Sequence, residues 1–344
     1  MLVAVAGGCA KPAPGQFSPG AGSTSAPSSP SPTGPAEITL AFGGDVHFTE
    51  RTLKLLRNPA TAFGPVAEIF SAADLAMVNL ESAVTTRGTP EPKTFLFRTP
   101  DTAYAAIAAA GIDVVSLANN HALDYGRVGL ADALDSAEAV GMPVVGAGRN
   151  VSEAYQAWIT TVKGVRIAFL GMSQVGELSS SWAAKSNRSG LAYAFDSARA
   201  TAAVKAAKAK ADVVVVYMHW GQEYNECPTG QMKTFAKKLA DAGAAIVVGT
   251  HAHLLLGDGW LGNTFVAYGL SNFLWWYNDA ATNDTGVLQI TLSDTKIVKT
   301  EFLPAYINRT TGQPEPVSGA EATRIGREYA ALRKCTGLSS SPKS

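Results

Sequence analysis

The sequence predicts an α/β fold in which two packed sheets are flanked by helices. Three observations carry that prediction. Strand-like and helix-like segments alternate along most of the chain, as βαβ units do. A hairpin signal at Lys163-Gly164 breaks the parallel pattern midway, which a second sheet explains better than one open sheet. The chain then closes with strand-like runs joined by short connections, the mark of a mixed or antiparallel sheet.

Residues 37–42 form a first apolar strand running into Gly43-Gly44-Asp45, and residues 74–79 a second, ending at Leu80-Glu81. Between them residues 51–56 and 66–70 have helical spacing. Residues 101–110 read as a helix and 112–118 as a buried strand. Residues 126–140 form a further helix with Leu130, Leu134 and Ala137 on one face, before a strand at 142–147. Strands at 157–162 and 165–171 flank the hairpin signal. The alternation resumes with an Ala/Lys-rich helix at 198–211, a strand at 212–218, a helix at 230–242 and a strand at 244–249. Residues 264–268, 286–292 and 296–303 are strands, and 321–333 is a last helix. No repeat or linker-like composition divides residues 36–335, which read as one domain followed by a polar tail at 336–344.

With 47% hydrophobic and 16% charged residues the chain can build a sizeable core. Its 28 basic and 28 acidic residues, with no Lys/Arg cluster, leave no electrostatic footprint for nucleic acid or an anionic membrane face. After the N-terminal segment no run of uninterrupted apolar residues is long enough to span a bilayer.

Residues 1–9 are short, apolar and uncharged up to Cys9, and resemble the end of a bacterial lipoprotein signal with its lipidated cysteine. The basic n-region is missing, so the expected true start lies upstream. Apart from Lys11, Gln16 and Phe17, residues 10–35 are Ala, Gly, Pro, Ser or Thr and read as a disordered tether. Such a tether spans roughly 30 Å from its anchor. These features predict an extracytoplasmic, membrane-anchored lipoprotein of a bacterium, touching the membrane through its lipid only. Cys227 and Cys335 then remain as an even pair, read either as a disulfide or as two free thiols.

All five histidines sit where an apolar run ends. Asp45-x-His47 follows the first strand, and the two-residue period of extended chain puts both side chains on one side, where they can share a metal ion. His251-x-His253 repeats the spacing with two imidazoles. Asn119-Asn120-His121 ends a buried run; an amide oxygen is a hard neutral ligand and the neighbouring His a general acid, while a helix cap or an Asx turn is the structural alternative. Asp124 either orients His121 or starts the following helix. His219 ends Val-Val-Val-Val-Tyr-Met, with Trp220, Glu223 and Tyr224 just beyond. Glu81 either bridges two cations or pairs with a lysine such as Lys93. Arg51, Lys93 and Arg98 are read either as candidates to meet an anionic substrate or as solvated surface charges, and Trp275 and Trp276 as core or rim packing or as the lining of a polymer groove. Five histidines on strand ends favour a metal site over coincidence.

The ordered set Gly44-Asp45, Asn79-Leu80-Glu81, Asn119-Asn120-His121-x-x-Asp124-x-Gly126, His219-Trp220-Gly221-x-Glu223-Tyr224, Gly249-x-His251-x-His253 and Tyr268-x-x-x-Asn272-Phe273 resembles the CapA family of poly-γ-glutamate capsule proteins, a branch of the calcineurin-like metallophosphoesterase superfamily. The resemblance implies a four-layer α-β-β-α sandwich. It implies one or two divalent ions, Mn, Fe or Zn, with Asp45, His47 and His253 serving one and Asn120, His219 and His251 the other. His121, oriented by Asp124, would be the general acid. The superfamily's bridging Gly-Asp-x-x-Asp is absent, and Asn79-Leu80-Glu81 stands in its place; Thr250 also departs from the pattern without needing to ligate. Trp220, Glu223 and Arg98 are the implied substrate contacts. The activity this implies is metal-dependent hydrolysis of a phosphoester or amide, with an anionic polymer or small substrate and capsule-assembly proteins as partners. The alternative is a non-catalytic polymer-binding, export or anchoring component.

Overall fold

In a computed structural model, residues 36–343 are described and form one unit; the signal ending at Cys9 and the tether at 10–35 lie outside the described residues. The buried strands carry apolar side chains on both faces, so each sheet must be covered twice. The first sheet runs β18 (Pro314–Pro316), β17 (Lys296–Ile307), β16 (Asp284–Ser293), β1 (Glu37–Val46), β2 (Leu75–Leu80), β5 (Val114–Ser116) and β6 (Val144–Val145), with β15 (Asn272–Leu274) paired to the end of β1. β1, β2, β5, β6 and β15 are parallel in their pairs, and β16 to β18 add antiparallel. The second sheet runs β13 (Leu255–Leu261), β14 (Thr264–Leu270), β12 (Ile246–Thr250), β11 (Val213–His219), β9 (Val165–Ser173) and β8 (Trp158–Val162), parallel in the middle and antiparallel at both edges. Two small pairs complete the set, β3 (Ala83–Val84) with β4 (Arg98–Thr99) and β7 (Ala147–Gly148) with β10 (Gly190–Leu191).

Three apolar layers fill the spaces. Between the sheets lie Leu40, Phe42 and Met77 from one side and Phe169, Val213, Val215 and Tyr217 from the other. The alternate residues Val214, Val216 and Met218 face the helices Ser197–Lys208 and Gly230–Ala242. On the far face of the first sheet, Ala76, Val78 and Leu80 meet the helices Thr102–Ala109 and Gly126–Val140. The order is therefore α-β-β-α. The Tyr217 hydroxyl donates across the gap to the Gly43 carbonyl, joining the sheets next to the histidine-bearing ends. At Gly44 a Cβ would stand 2.1 Å from the Ser271 carbonyl oxygen, so only glycine lets β15 lie against β1.

The long expected elements form, with shifts at their ends. Lys163 and Gly164 both take positive φ (48° and 86°), the backbone of a type I′ hairpin between β8 and β9. The sequence pattern gives no strand at β13, because Gly257 and Gly259 interrupt the run. The structure forms one since the C-terminal turn packs onto those glycines: a Cβ on Gly257 would meet the Arg333 nitrogen at 2.6 Å. The expected strand at 142–147 narrows to β6 and β7, and 286–303 pairs as a hairpin that returns to the first sheet. Among the described residues no helix is long and apolar enough to cross a membrane.

Cys227 and Cys335 form a disulfide across a sequence separation of 108 residues, tying the loop after β11 to the chain's C-terminal turn. Closing a loop of that size removes about 4–5 kcal/mol of denatured-state entropy. Cys335→Ser should lower the unfolding free energy by an amount of this order, read from the denaturant midpoint. A midpoint equal to that of the oxidised wild type would exclude a stabilising bridge.

Candidate metal centre

Parallel register lines up polar residues where the strands stop. In the first sheet Asn272, Asp45, Asn79 and Ser116 are successive partners across β15, β1, β2 and β5. In the second, Ser173, His219 and Thr250 stand in one row across β9, β11 and β12. The rows meet at the carboxyl ends of the strands, where an α/β sheet presents its loops. His219 Nδ1 lies 3.6 Å from Asp45 Oδ1, and Asn79 Nδ2 donates to Asp45 Oδ1 at 2.7 Å. The other Asp45 oxygen accepts the His251 N–H at 3.0 Å.

Glu81, one residue beyond β2, is 1% exposed and shared by two imidazoles. His47 Nε2 donates to its Oε2 at 3.0 Å, and its Oε1 lies 3.1 Å from His219 Nε2. His219 Nε2 also donates to Asn120 Oδ1 at 2.8 Å, and its Nδ1 to Thr250 Oγ1 at 3.0 Å. His251 completes the group: one ligand atom from each of Glu81, His219 and His251 falls within 4.8 Å of the others.

Burial and charge oppose each other here. Burial raises the Glu81 carboxyl, but His219 and His47 outweigh it and hold Glu81 well below the usual carboxylate range. Burial lowers His219, yet Glu81 and Asp45 outweigh that and raise it to about 9. His251 is pushed well below the ordinary imidazole value by burial and by neighbouring His219, and His47 is lowered by burial against the pull of Glu81. One imidazole is therefore charged at neutral pH and two are neutral, as ligands must be.

A second cluster borders the first. His121 Nδ1 donates to Asp124 Oδ2 at 2.7 Å. The helix that follows starts at Gly126 behind Tyr125, so Asp124 orients His121 and does not cap the helix. Lys93 donates to Asp124 Oδ1 at 2.7 Å, and the Phe97 N–H to Oδ2 at 2.6 Å. The Phe97 ring centroid is 4.3 Å from that of His47 and 4.4 Å from that of His121.

The structure brings Asp45, His47, Glu81, Asn120, His219 and His251 together, with His121 and Asp124 alongside. His253 borders the group, its ring centroid 5.9 Å from that of His251; its Nδ1 donates to Asn272 Oδ1 at 2.8 Å and its ring packs on Trp275. The extended geometry expected for His251-x-His253 does not occur. β12 ends at Thr250, and both histidines take positive φ (91° and 59°), which turns their rings to different neighbours. Glu81 does not pair with Lys93, whose ammonium is taken by Asp124 and, at 3.2 Å, by Glu177.

One expected substrate contact is corrected. Trp220 is fully buried and donates through Nε1 to the Tyr268 carbonyl, which makes it core. Arg98, half-buried, stacks its guanidinium 3.5 Å over the Tyr125 ring and donates to the Arg87 carbonyl. Glu223 is at the rim, 3.8 Å from His253 Nε2. Sequence reasoning missed the structural use of Asn79, Thr250 and Asn272. Their signal was position, each falling at a strand end beside an expected ligand.

A divalent ion fits this donor set. His47 Nδ1 and His251 Nδ1 are buried without a hydrogen-bond partner among the described residues, an arrangement that costs free energy unless something else satisfies them, and Glu81 Oε1 has only the 3.1 Å contact with His219 Nε2. Imidazole and carboxylate without thiolate suit Mn, Fe or Zn.

Residues 39–277 match the family model described as "Bacterial capsule synthesis protein PGA_cap". The chain is 31% identical over 300 residues to the PGA biosynthesis protein CapA of Bacillus subtilis, covering 85% of this chain and 77% of that one. It is 32% identical over 226 residues to the capsule biosynthesis protein CapA of Bacillus anthracis, covering 65% of this chain and 54% of the relative. A solved structure titled as a novel phosphatase from Mycoplasma pneumoniae matches in fold at a TM-score of 0.50 and 13% identity, over 85% of this chain and 97% of that one. A hypothetical protein from Thermus thermophilus matches at 0.50 and 17%, over 81% of this chain and 100% of that one.

Because His219 carries a proton up to about pH 9, divalent metal uptake should release a proton at neutral pH and tighten as pH rises towards that value. Calorimetry of Mn²⁺ binding in buffers of different ionisation enthalpy measures the release. An enthalpy independent of buffer would show that the ion binds without displacing this proton.

Proposed function

The chain belongs to the bacterial capsule synthesis protein family, and from that premise we propose that it is a metal-dependent hydrolase of a phosphoester or amide bond, acting in capsule or poly-γ-glutamate metabolism. One observation carries the reading: a buried carboxylate set between two imidazoles, with a third beside it and unpartnered buried donor atoms around it. Structural polar clusters satisfy their own atoms, whereas this one leaves buried nitrogens of His47 and His251 without a hydrogen-bond partner among the described residues.

Glu81, His219 and His251 would hold the ion, with Asp45, His47 and Asn120 close enough to complete its surroundings. When bound, a divalent ion supplies Lewis-acid polarisation and a more acidic water. His121 keeps Nδ1 on Asp124, which fixes the ring and leaves Nε2 to hand a proton to a leaving group. Phe97 and Trp275 pack against His47 and keep bulk water from that side. In this reading the protein works outside the membrane, held by a lipid on Cys9, with a capsule polymer or a small phosphoester or amide as substrate.

Metal analysis of the purified protein, followed by turnover of bis(p-nitrophenyl) phosphate and of poly-γ-glutamate with added Mn²⁺, tests the proposal. Glu81→Gln should lose metal and activity together, with little change in fold. His121→Ala should keep its metal and lose about 10²- to 10⁴-fold in rate. Metal binding without turnover of either substrate would turn the reading to a non-catalytic polymer-binding or anchoring component. Absence of metal binding would sink both.

A further inference from the structure

Lys93 lies on an irregular segment far in sequence from every histidine of the second sheet, yet its side chain is 1% exposed. A buried ammonium is expensive unless each of its three donors is used. Here they are: Nζ donates to the Asn120 carbonyl and to Asp124 Oδ1 and pairs with Glu177 at 3.2 Å. It also stands 3.2 Å from His121 Nδ1 and 5.0 Å from the centre of the Trp182 ring. Four residues on, the Phe97 N–H donates to the other Asp124 oxygen and the Phe97 ring covers His47 and His121.

Resting on the metal-centre reading above, we propose that the segment from Lys93 to Phe97 is a clamp and Lys93 a positioning residue for the site. By holding the Asn120 carbonyl, Lys93 fixes that residue's backbone so that the side chain reaches His219; by holding Asp124, it fixes the carboxylate that aims His121. Asn120 then faces the ion position and His121 faces the mouth. Carbonyl and carboxylate are both acceptors, so the device needs a cation with several donors on a long flexible stem, which lysine supplies. A neutral side chain of the same length can fill the space but cannot hold either acceptor.

The experiment uses the full chain with Lys93→Met, Lys93→Arg and Lys93→Ala. Calorimetric Mn²⁺ affinity is the first readout, since it does not depend on turnover. Lys93→Met should weaken Mn²⁺ binding about ten-fold, the scale of losing an outer hydrogen bond to a ligand. Where the wild type turns over bis(p-nitrophenyl) phosphate, the same variant should lower kcat by a similar factor and leave KM within about two-fold. Ethylammonium should restore Lys93→Ala saturably, and ethanol should not.

Wild-type Mn²⁺ affinity in Lys93→Met would overturn the proposal. If that variant does not fold, Lys93→Met combined with Asp124→Asn removes both buried charges. A mere counter-ion role then predicts wild-type Mn²⁺ affinity, whereas the clamp predicts that it stays weak because the Asn120 carbonyl is still unheld. If the wild type binds Mn²⁺ but turns over nothing, the hydrolase reading fails while the affinity data still decide the clamp.

Discussion

The site depends on one buried carboxylate shared by two imidazoles. Taking Glu81 out of water costs several kcal/mol, and the cost is offset only while His47 and His219 stay within hydrogen-bonding reach. The two histidines come from different sheets, His47 after β1 and His219 at the end of β11. The interaction therefore requires the sheets to stack in one register. Tyr217, two residues before His219, supplies that register through the Gly43 carbonyl. The charge balance points the same way. Asp45 accepts an N–H on each oxygen and Glu81 is held ionised, while burial keeps His47 and His251 neutral, leaving His219 to answer two carboxylates. A divalent cation is the charge such a cluster lacks.

Three of the eight non-glycine residues with positive φ among the described residues lie at the same edge. His251, His253 and Ser271 all have positive φ, which side chains with a Cβ adopt at a cost of order 1–3 kcal/mol each. Each is held by a specific contact: the His251 N–H on Asp45, the Ser271 hydroxyl on the His253 carbonyl, and the Ser271 carbonyl accepting the Asp45 N–H. The loops after β12 and β14 are thus fastened to β1, the strand that carries Asp45. At these three positions the strain is held by contacts to the strand that carries Asp45, as in a preorganised site, because relaxing it would turn His251 away from Glu81.

How much of this was legible in the sequence follows from range. Histidines at the ends of apolar runs are local facts, and strand period plus sheet stacking carried them to one edge without any coordinates. β11 and β12 also announced themselves, since a strand buried on both faces reads as an unbroken apolar run. What the sequence could not show was pairing between distant segments. Asn79 reads as a polar break in β2 until β1 is laid beside it and Asp45 becomes its partner. Lys93 reads as a surface charge until Asp124 and Asn120 are seen around it. The same limit explains Trp220, which sits beside a ligand in sequence but points to the opposite, helix-covered face in space. Period two places neighbours on opposite sides, and that argument should have been applied to it.

The mouth of the site constrains how an anionic substrate could be held. Three nearby basic side chains are already committed among the described residues. Lys93 is bound to Asp124 and Glu177, Arg51 to the carbonyls of Trp275, Tyr277 and Arg309, and Arg98 to Tyr125 and Arg87. The half-exposed groups nearest the cluster are the carboxylates of Glu177 and Glu223, which repel a polyanion. In the function proposed above, attraction for a phosphoester or a carboxylate-bearing chain would come mainly from the bound ion. Under that proposal metal and substrate binding would be coupled: without the ion the rim would present only carboxylates, and affinity for an anionic ligand would fall along with turnover.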